Sequence, residues 1–385
     1  MQRKEFLMEL KWLKASATLV GGTVGAGLLG IPYVFARAGF LTGLLCIIIM
    51  SVMITMLNLF IGEIALRTKG ERHQLTAYAE KFLGKKAKNL MMGATLLTIY
   101  GAMLAYIIKS GEILTMILGG NPFNYSIFFF SIIAFLIYLG PRRVRDLKAG
   151  MVVLSILFLL AIFTLSLPKF QAVNLKSFNP EMLLMPYGLV LFAMMGTHMV
   201  PELRKELAGN EKEIRRAILI GSVIPPILYV IFAMSVVGVS GFATSDAAIE
   251  SIWIGLGNQV GKFSAIFAVL VLATAFLSLG IALRDIYVYD YKMDQIFAWF
   301  LTCFVPLFFF LFIKNFIAVL SLTGAVAGGI ISTTLIIVYI VAKKRSEREP
   351  EYSLNVGRVW LAILIFLFTL GVAYEIAMKI GLIGV

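Results

Sequence analysis

Long apolar runs alternate with short polar connections along the whole chain, and each run is near the roughly 20 residues a helix needs to cross a bilayer. Eleven such runs fall near residues 12 to 36, 39 to 65, 89 to 118, 124 to 140, 149 to 167, 183 to 203, 216 to 239, 262 to 289, 294 to 313, 316 to 342 and 358 to 381. The pattern predicts an all-α polytopic membrane protein, one transmembrane domain over residues 1 to 385. Two connections have a period of their own. Leu75, Tyr78, Ala79, Phe82 and Leu83 recur at helical spacing amid lysines and glutamates, which predicts a helix lying on the membrane surface. Between the seventh and eighth runs, Ser245 and Asp246 stand where they can cap a short helix through Ala247, Ile249, Trp253 and Ile254. That helix either covers a vestibule or is an ordinary interfacial one.

The first run is interrupted. From Gly21 to Pro32 it reads GGTVGAGLLGIP, five glycines and a proline inside a segment that should be helical. Glycine weakens a helix and proline removes a backbone donor, so the helix should break. At bilayer depth a break is tolerated only where the freed backbone lines a protein cavity. The sixth run has a second weak point at Gly196, Thr197 and Pro201. Paired interruptions at corresponding places in two halves of a chain mark a substrate site in transporters built from inverted repeats. Flexible packing glycines are the competing reading.

Composition agrees with a membrane setting: 60% of the residues are hydrophobic and only 14% charged. The net charge of +13 is a topology signal, because lysine and arginine crowd one set of loops: Arg3, Lys4, Lys11 and Lys14, the stretch Arg67 to Lys88, then Arg142, Arg143, Arg145 and Lys148, then Arg204 to Arg216, and Lys343, Lys344, Arg345, Arg348 and Arg358. The opposite loops hold little beyond Lys169, Lys176, Lys262 and Lys314. The positive-inside bias therefore predicts a cytoplasmic N-terminus and, with eleven spans, an extracellular C-terminus in the cell membrane. Basic residues dispersed over one membrane face argue against a nucleic-acid partner. The first run lacks a small-residue cleavage site and is followed at once by another span, so it reads as a retained helix. Cys46 and Cys303 lie within spans as packing residues, and with His73 and His198 they form no metal-ligand cluster; no cofactor is expected.

The run Gly25 to Tyr33, followed by Phe35-Ala36-Arg37-Ala38-Gly39-Phe40, resembles the first-helix signature of the amino acid/auxin permease family, and the bacterial aromatic amino acid permeases carry a similar motif. Tyr100-Gly101-Ala102-Met103 with Tyr106 to Ser110 is similar to the third helix of sodium-coupled neutral amino acid transporters, Gly196 to Pro201 to the sixth-helix break, and Ala273 to Gly280 followed by Asp285 to the eighth helix of the aromatic permeases. The resemblance implies the five-plus-five inverted-repeat fold of the amino acid, polyamine and organocation superfamily. The first repeat would be residues 12 to 167, the second 183 to 342, and 358 to 381 an additional helix.

An amino acid buried in a bilayer needs both charges satisfied. A break in helix one presents backbone N–H groups around Gly25, Ala26 and Gly27 at the positive end of a half-helix, suited to a carboxylate. Carbonyls near Gly22 and Thr23, with those of Ala193, Met194 and Gly196 beside Thr197, can accept from the ammonium. Tyr106 either points its hydroxyl at the carboxylate or packs in the bundle. The coupling ion is H⁺ or Na⁺. In the resembling sodium-coupled fold, adjacent hydroxyl residues of helix eight supply ligands; here Thr274 and Ser278 are present but Ala275 follows Thr274, which weakens the sodium case and favours protons. His198, beside the sixth break, can exchange a proton near neutral pH or stay neutral and hydrogen-bonded. Lys109 and Glu112 are spaced to pair, and Glu63, near the inner end of span two, is placed either to cap or to pair with a loop arginine.

The sequence thus reads as a secondary active amino acid transporter, a symporter working by alternating access. An ATP-driven pump is disfavoured by the lack of a phosphate-binding Gly-x-x-x-x-Gly-Lys-Ser/Thr loop. A membrane channel or a membrane-embedded enzyme is the alternative, each poorly served by the residues at bilayer depth. The substrate's side chain and the oligomeric state have no sequence signal.

Overall fold

The structure is a computed structural model that describes residues 11–70, 74–140 and 145–382, with the side chains of 145–152 and 290 outside the description. Arg3, Lys4, His73, Arg142 and Arg143, and the C-terminal Val385, lie outside the described residues.

Among the described residues every regular element is helical. The chain runs through α1 (Lys11–Thr23), a 3₁₀ turn (Ala26–Gly30), α2 (Ile31–Ala38), α3 (Phe40–Arg67), α4 (Leu75–Leu83), α5 (Lys85–Leu118), α6 (Pro122–Leu139) and α7 (Arg145–Ser166). It continues through α8 (Tyr187–Met194), α9 (Val200–Glu206), α10 (Ile214–Ser240), α11 (Ile249–Leu256), α12 (Asn258–Asp285), α13 (Gln295–Phe310), α14 (Phe316–Leu322), α15 (Gly329–Lys344) and α16 (Arg358–Lys379). A π-helical stretch, Thr323–Gly328, joins α14 to α15.

Seven helices among the described residues are long and apolar enough to cross a membrane, and α1 with the segment Ala26–Ala38, bent by 54°, makes an eighth span. The other three expected spans are helical but shorter. The fifth has an apolar part of Val153–Lys169, the ninth is α13 at 16 residues, and the sixth is divided into α8 and α9.

Burial separates centre from rim. Two-thirds of the apolar windows in α5 and in Phe316–Lys344 is buried, against 33% in α6 and 28% in α16. The rim helices turn Phe128, Phe135, Trp360 and Phe366 outwards, the side chains a bilayer would cover.

Two expectations about the connections change. The helix α4 does form, but Tyr78, Ala79 and Phe82 are buried against α5 and α15, so its apolar stripe is covered by protein instead of lipid. The short outer helix α11 starts at Ile249, and its N-cap is Ala248 in a left-handed conformation (φ 62°), with no side-chain cap. Ser245 is used differently, its backbone N–H donating to Ser251 Oγ (2.7 Å) and its Oγ accepting from the Ser251 N–H (3.2 Å). Asp246 leaves the cap role to pair with Lys109.

Candidate functional site at the paired helix breaks

Both expected interruptions are present, and packing brings them together. Helix α1 closes with the Val24 N–H on the Val20 carbonyl (2.7 Å), after which Gly25 is fully extended (φ −141°, ψ −158°) and the chain re-forms as 3₁₀ and then α2. Pro32 sits in the first turn of α2, where a missing N–H is harmless. Helix α8 ends at Met194. The Gly196 N–H bonds the Met194 carbonyl (2.8 Å) and α9 restarts with Pro201 in its first turn.

Glycine lets the two broken helices interlock. A Cβ on Gly196 would collide with Thr23 Oγ1, one on Gly22 with Met199, and one on Gly27 would lie 2.8 Å from the Ala193 Cα. These three glycines are therefore close-approach positions. Gly25 is different: a Cβ there meets nothing within 4 Å, and Gly21 to Gly25 are partly exposed while Ala26 to Gly30 are buried. The open space of the site lies on the Gly25 side.

One residue that sequence reasoning missed ties the breaks together. Tyr229 of α10 is fully buried, and its hydroxyl lies 2.9 Å from the Thr23 carbonyl and 2.8 Å from the Ala193 carbonyl. A phenol has a single proton, so that proton is shared between the two carbonyls, and each carbonyl keeps a lone pair for another donor. The available signal was the only tyrosine of span seven, three residues past the pair Pro225-Pro226, since a buried tyrosine almost always finds a partner for its hydroxyl. Tyr106 is buried in α5.

The remaining candidates are placed as follows. Met194 and Thr197 are buried at the second break. Helix α12 packs on the 3₁₀ turn Ala26–Gly30, which puts Thr274 and Ser278 on a helix that borders the first break. The Thr274 hydroxyl donates to carbonyls of its own helix, Leu270 and Val271, both at 3.0 Å. His198 is exposed on the 3₁₀ turn Thr197–Met199. Lys109, one turn from Tyr106 and only 3% exposed, pairs with Glu112 and also with Asp246 (2.6 Å), so it fastens the loop before α11 to α5.

Glu63 is fully buried and pairs with Arg67 on its own helix (2.8 Å). It also accepts from the Leu354 N–H (2.7 Å) and Ser353 Oγ (3.0 Å), which docks the strap 345–357 against the end of α3.

The sequence model of the tryptophan/tyrosine permease family matches residues 8–376. The chain belongs to that family. The permease is similar to tyrosine-specific transport system 1 of Haemophilus influenzae, 25% identical over 390 residues that cover 95% of this chain and 97% of the relative. It is also similar to tyrosine-specific transport system 2 of the same organism (24% over 347 residues, 83% and 84% covered). Glutamine transporter 2 of Aliivibrio fischeri is 22% identical over 368 residues, with 91% and 94% covered. Membership makes this permease a multi-pass membrane transporter of an amino acid transporter family, and not an enzyme.

Proposed function

We propose that this permease is a secondary active importer of an amino acid, driven by a proton gradient and working by alternating access around the breaks in its first and sixth spans. The observation that carries the reading is the contact between those breaks. Two interrupted helices, distant in sequence, touch at Gly196 and Thr23 and share the Tyr229 hydroxyl. The substrate carboxylate would take the N–H groups at Gly25 to Gly27, beside the open space at Gly25, and the ammonium would take the spare lone pairs at Thr23 and Ala193. The five-plus-five arrangement and the cytoplasmic N-terminus belong to this proposal.

Relatives that carry tyrosine and glutamine set the first substrates to test. Labelled tyrosine, tryptophan and glutamine would be offered to proteoliposomes with proton and sodium gradients imposed separately. Saturable uptake that follows the proton gradient, persists when choline replaces sodium and collapses with a protonophore is the expected result. Strict sodium dependence at constant pH overturns the proton driver. Flux that does not saturate overturns the transporter in favour of a channel.

A further inference from the structure

Among the described residues every buried charge in the transmembrane bundle has been given a hydrogen-bonded partner above except one. Glu375 lies in α16, is 3% exposed, and among the described residues no hydrogen bond or ion pair reaches its carboxylate. An ionised carboxylate in that position would be largely desolvated and without a hydrogen bond, one turn from the end of α16, and only the charge of Lys379 would offset that cost.

Its surroundings come from a helix that flanks one of the breaks. Gly188 of α8 lies so close to Glu375 that a Cβ on the glycine would be 3.0 Å from Glu375 Oε2, and the same point is crowded by the Ser321 carbonyl of α14. Gly324, in the π-helical stretch, meets the Gly188 carbonyl in the same way, so α8 and the π segment touch backbone to backbone beside the carboxyl group. One turn earlier on α16, Gly371 receives the ring of Tyr187, whose hydroxyl donates to the Phe368 carbonyl at 3.3 Å.

Titratable neighbours are few. On α16 itself they are Tyr374, whose hydroxyl is buried without a partner, and Lys379, which is exposed one turn on and makes no ion pair with Glu375. From α8 the one titratable side chain is Tyr187, and α14 with the π stretch contributes none. Tyr339, Lys343 and Lys344 of α15 belong to the other end, where Tyr339 and Lys343 bind the Leu354 carbonyl.

We infer that Glu375 is a proton-binding site, holding a proton while α8 is seated against α14 and α16 and releasing it to water when α8 withdraws. The proton balance is one ionisation, carboxylic acid to carboxylate plus a proton to solvent. Binding at one membrane face and release at the other would couple the gradient to movement of the broken sixth span. The inference rests on the proposed transport function, and it places the proton at Glu375 instead of the exposed His198.

The test uses the full-length permease in proteoliposomes and compares wild type with Glu375→Gln, a neutral isostere of the protonated acid. The variant should keep substrate-for-substrate exchange without gradients and lose accumulation driven by a pH gradient, and Glu375→Asp should restore part of that accumulation. Infrared difference spectroscopy gives a readout that needs no transport: wild type at neutral pH should show a protonated carboxyl carbonyl band that Glu375→Gln lacks. Absence of that band in wild type, or unchanged proton-driven accumulation in Glu375→Gln, overturns the inference, as does coupling abolished by His198→Gln but not by Glu375→Gln. If no amino acid is exchanged by wild type, the transport reading fails, and the infrared band still decides whether Glu375 binds a proton.

Discussion

At the scale of single residues, the glycines of the two breaks have different tasks. Gly25 faces open space, so Gly25→Leu should fold and insert normally yet lose substrate binding, as its side chain fills the space proposed for the carboxylate. Wild-type affinity by equilibrium binding to the purified variant would sink that placement. Gly27 meets the Ala193 backbone at 2.8 Å from its would-be Cβ. Even Gly27→Ala should therefore destabilise the permease by about 1 to 3 kcal/mol, the usual cost of overpacking. Tyr229→Phe keeps the ring and removes the proton shared by the Thr23 and Ala193 carbonyls. We expect a loss of about 1 to 3 kcal/mol, the range for leaving a buried polar group unsatisfied. Both stability changes are measurable as a lowered unfolding midpoint in detergent. The glycine-rich segment was legible as a site because the sequence displays its weak points. Tyr229 was not, because a lone tyrosine after a proline pair signals that its hydroxyl needs a partner but not that the partners are the carbonyls of two distant breaks.

At the scale of elements, two non-spanning segments hold helices together. The strap 345–357 binds the end of α3 through Glu63, and Glu347 in the strap accepts from Lys81 Nζ (2.7 Å) and from the Lys69 backbone N–H (2.6 Å). The Lys81 hydrogen bond first, and then that of the Lys69 N–H, hold the Glu347 carboxyl below its ordinary value of 4.5. A lowered carboxylate stabilises the folded strap fully above 4.5, and the contribution is lost as pH falls through the lowered value. Protection of the strap amides, measured relative to their intrinsic exchange rates, should therefore fall on acidification below 4.5 in wild type. In Glu347→Gln the same amides should already exchange faster at neutral pH, and equal protection in both would dismiss the Glu347 attachment. The sequence reveals these helices by their periodicity, but not what covers them. The stripe of α4 reads equally well for a bilayer and for a protein neighbour, and Ser245-Asp246 reads as a cap although Lys109, far along the chain, takes the aspartate.

For the whole molecule, the charge bias gives a testable orientation: Lys81 and Lys212 at the cytoplasmic face, Lys176 and Val385 outside. Cysteines placed at these positions should react with an impermeant reagent in intact cells only at 176 and 385. Labelling at 81 without 176 would invert the topology. The sequence alone determined the helical class, the membrane setting and the two breaks, because bilayer thickness and backbone hydrogen bonding leave little choice to an apolar chain with clustered glycine and proline. Tertiary structure decided which glycines are close-approach positions, that Tyr229 joins the breaks, that Lys109 reaches Asp246, and that Glu375 has no hydrogen bond among the described residues. Each of these depends on which residue of a distant helix stands opposite. Helical periodicity says which face of a helix is apolar, and only packing says what that face meets.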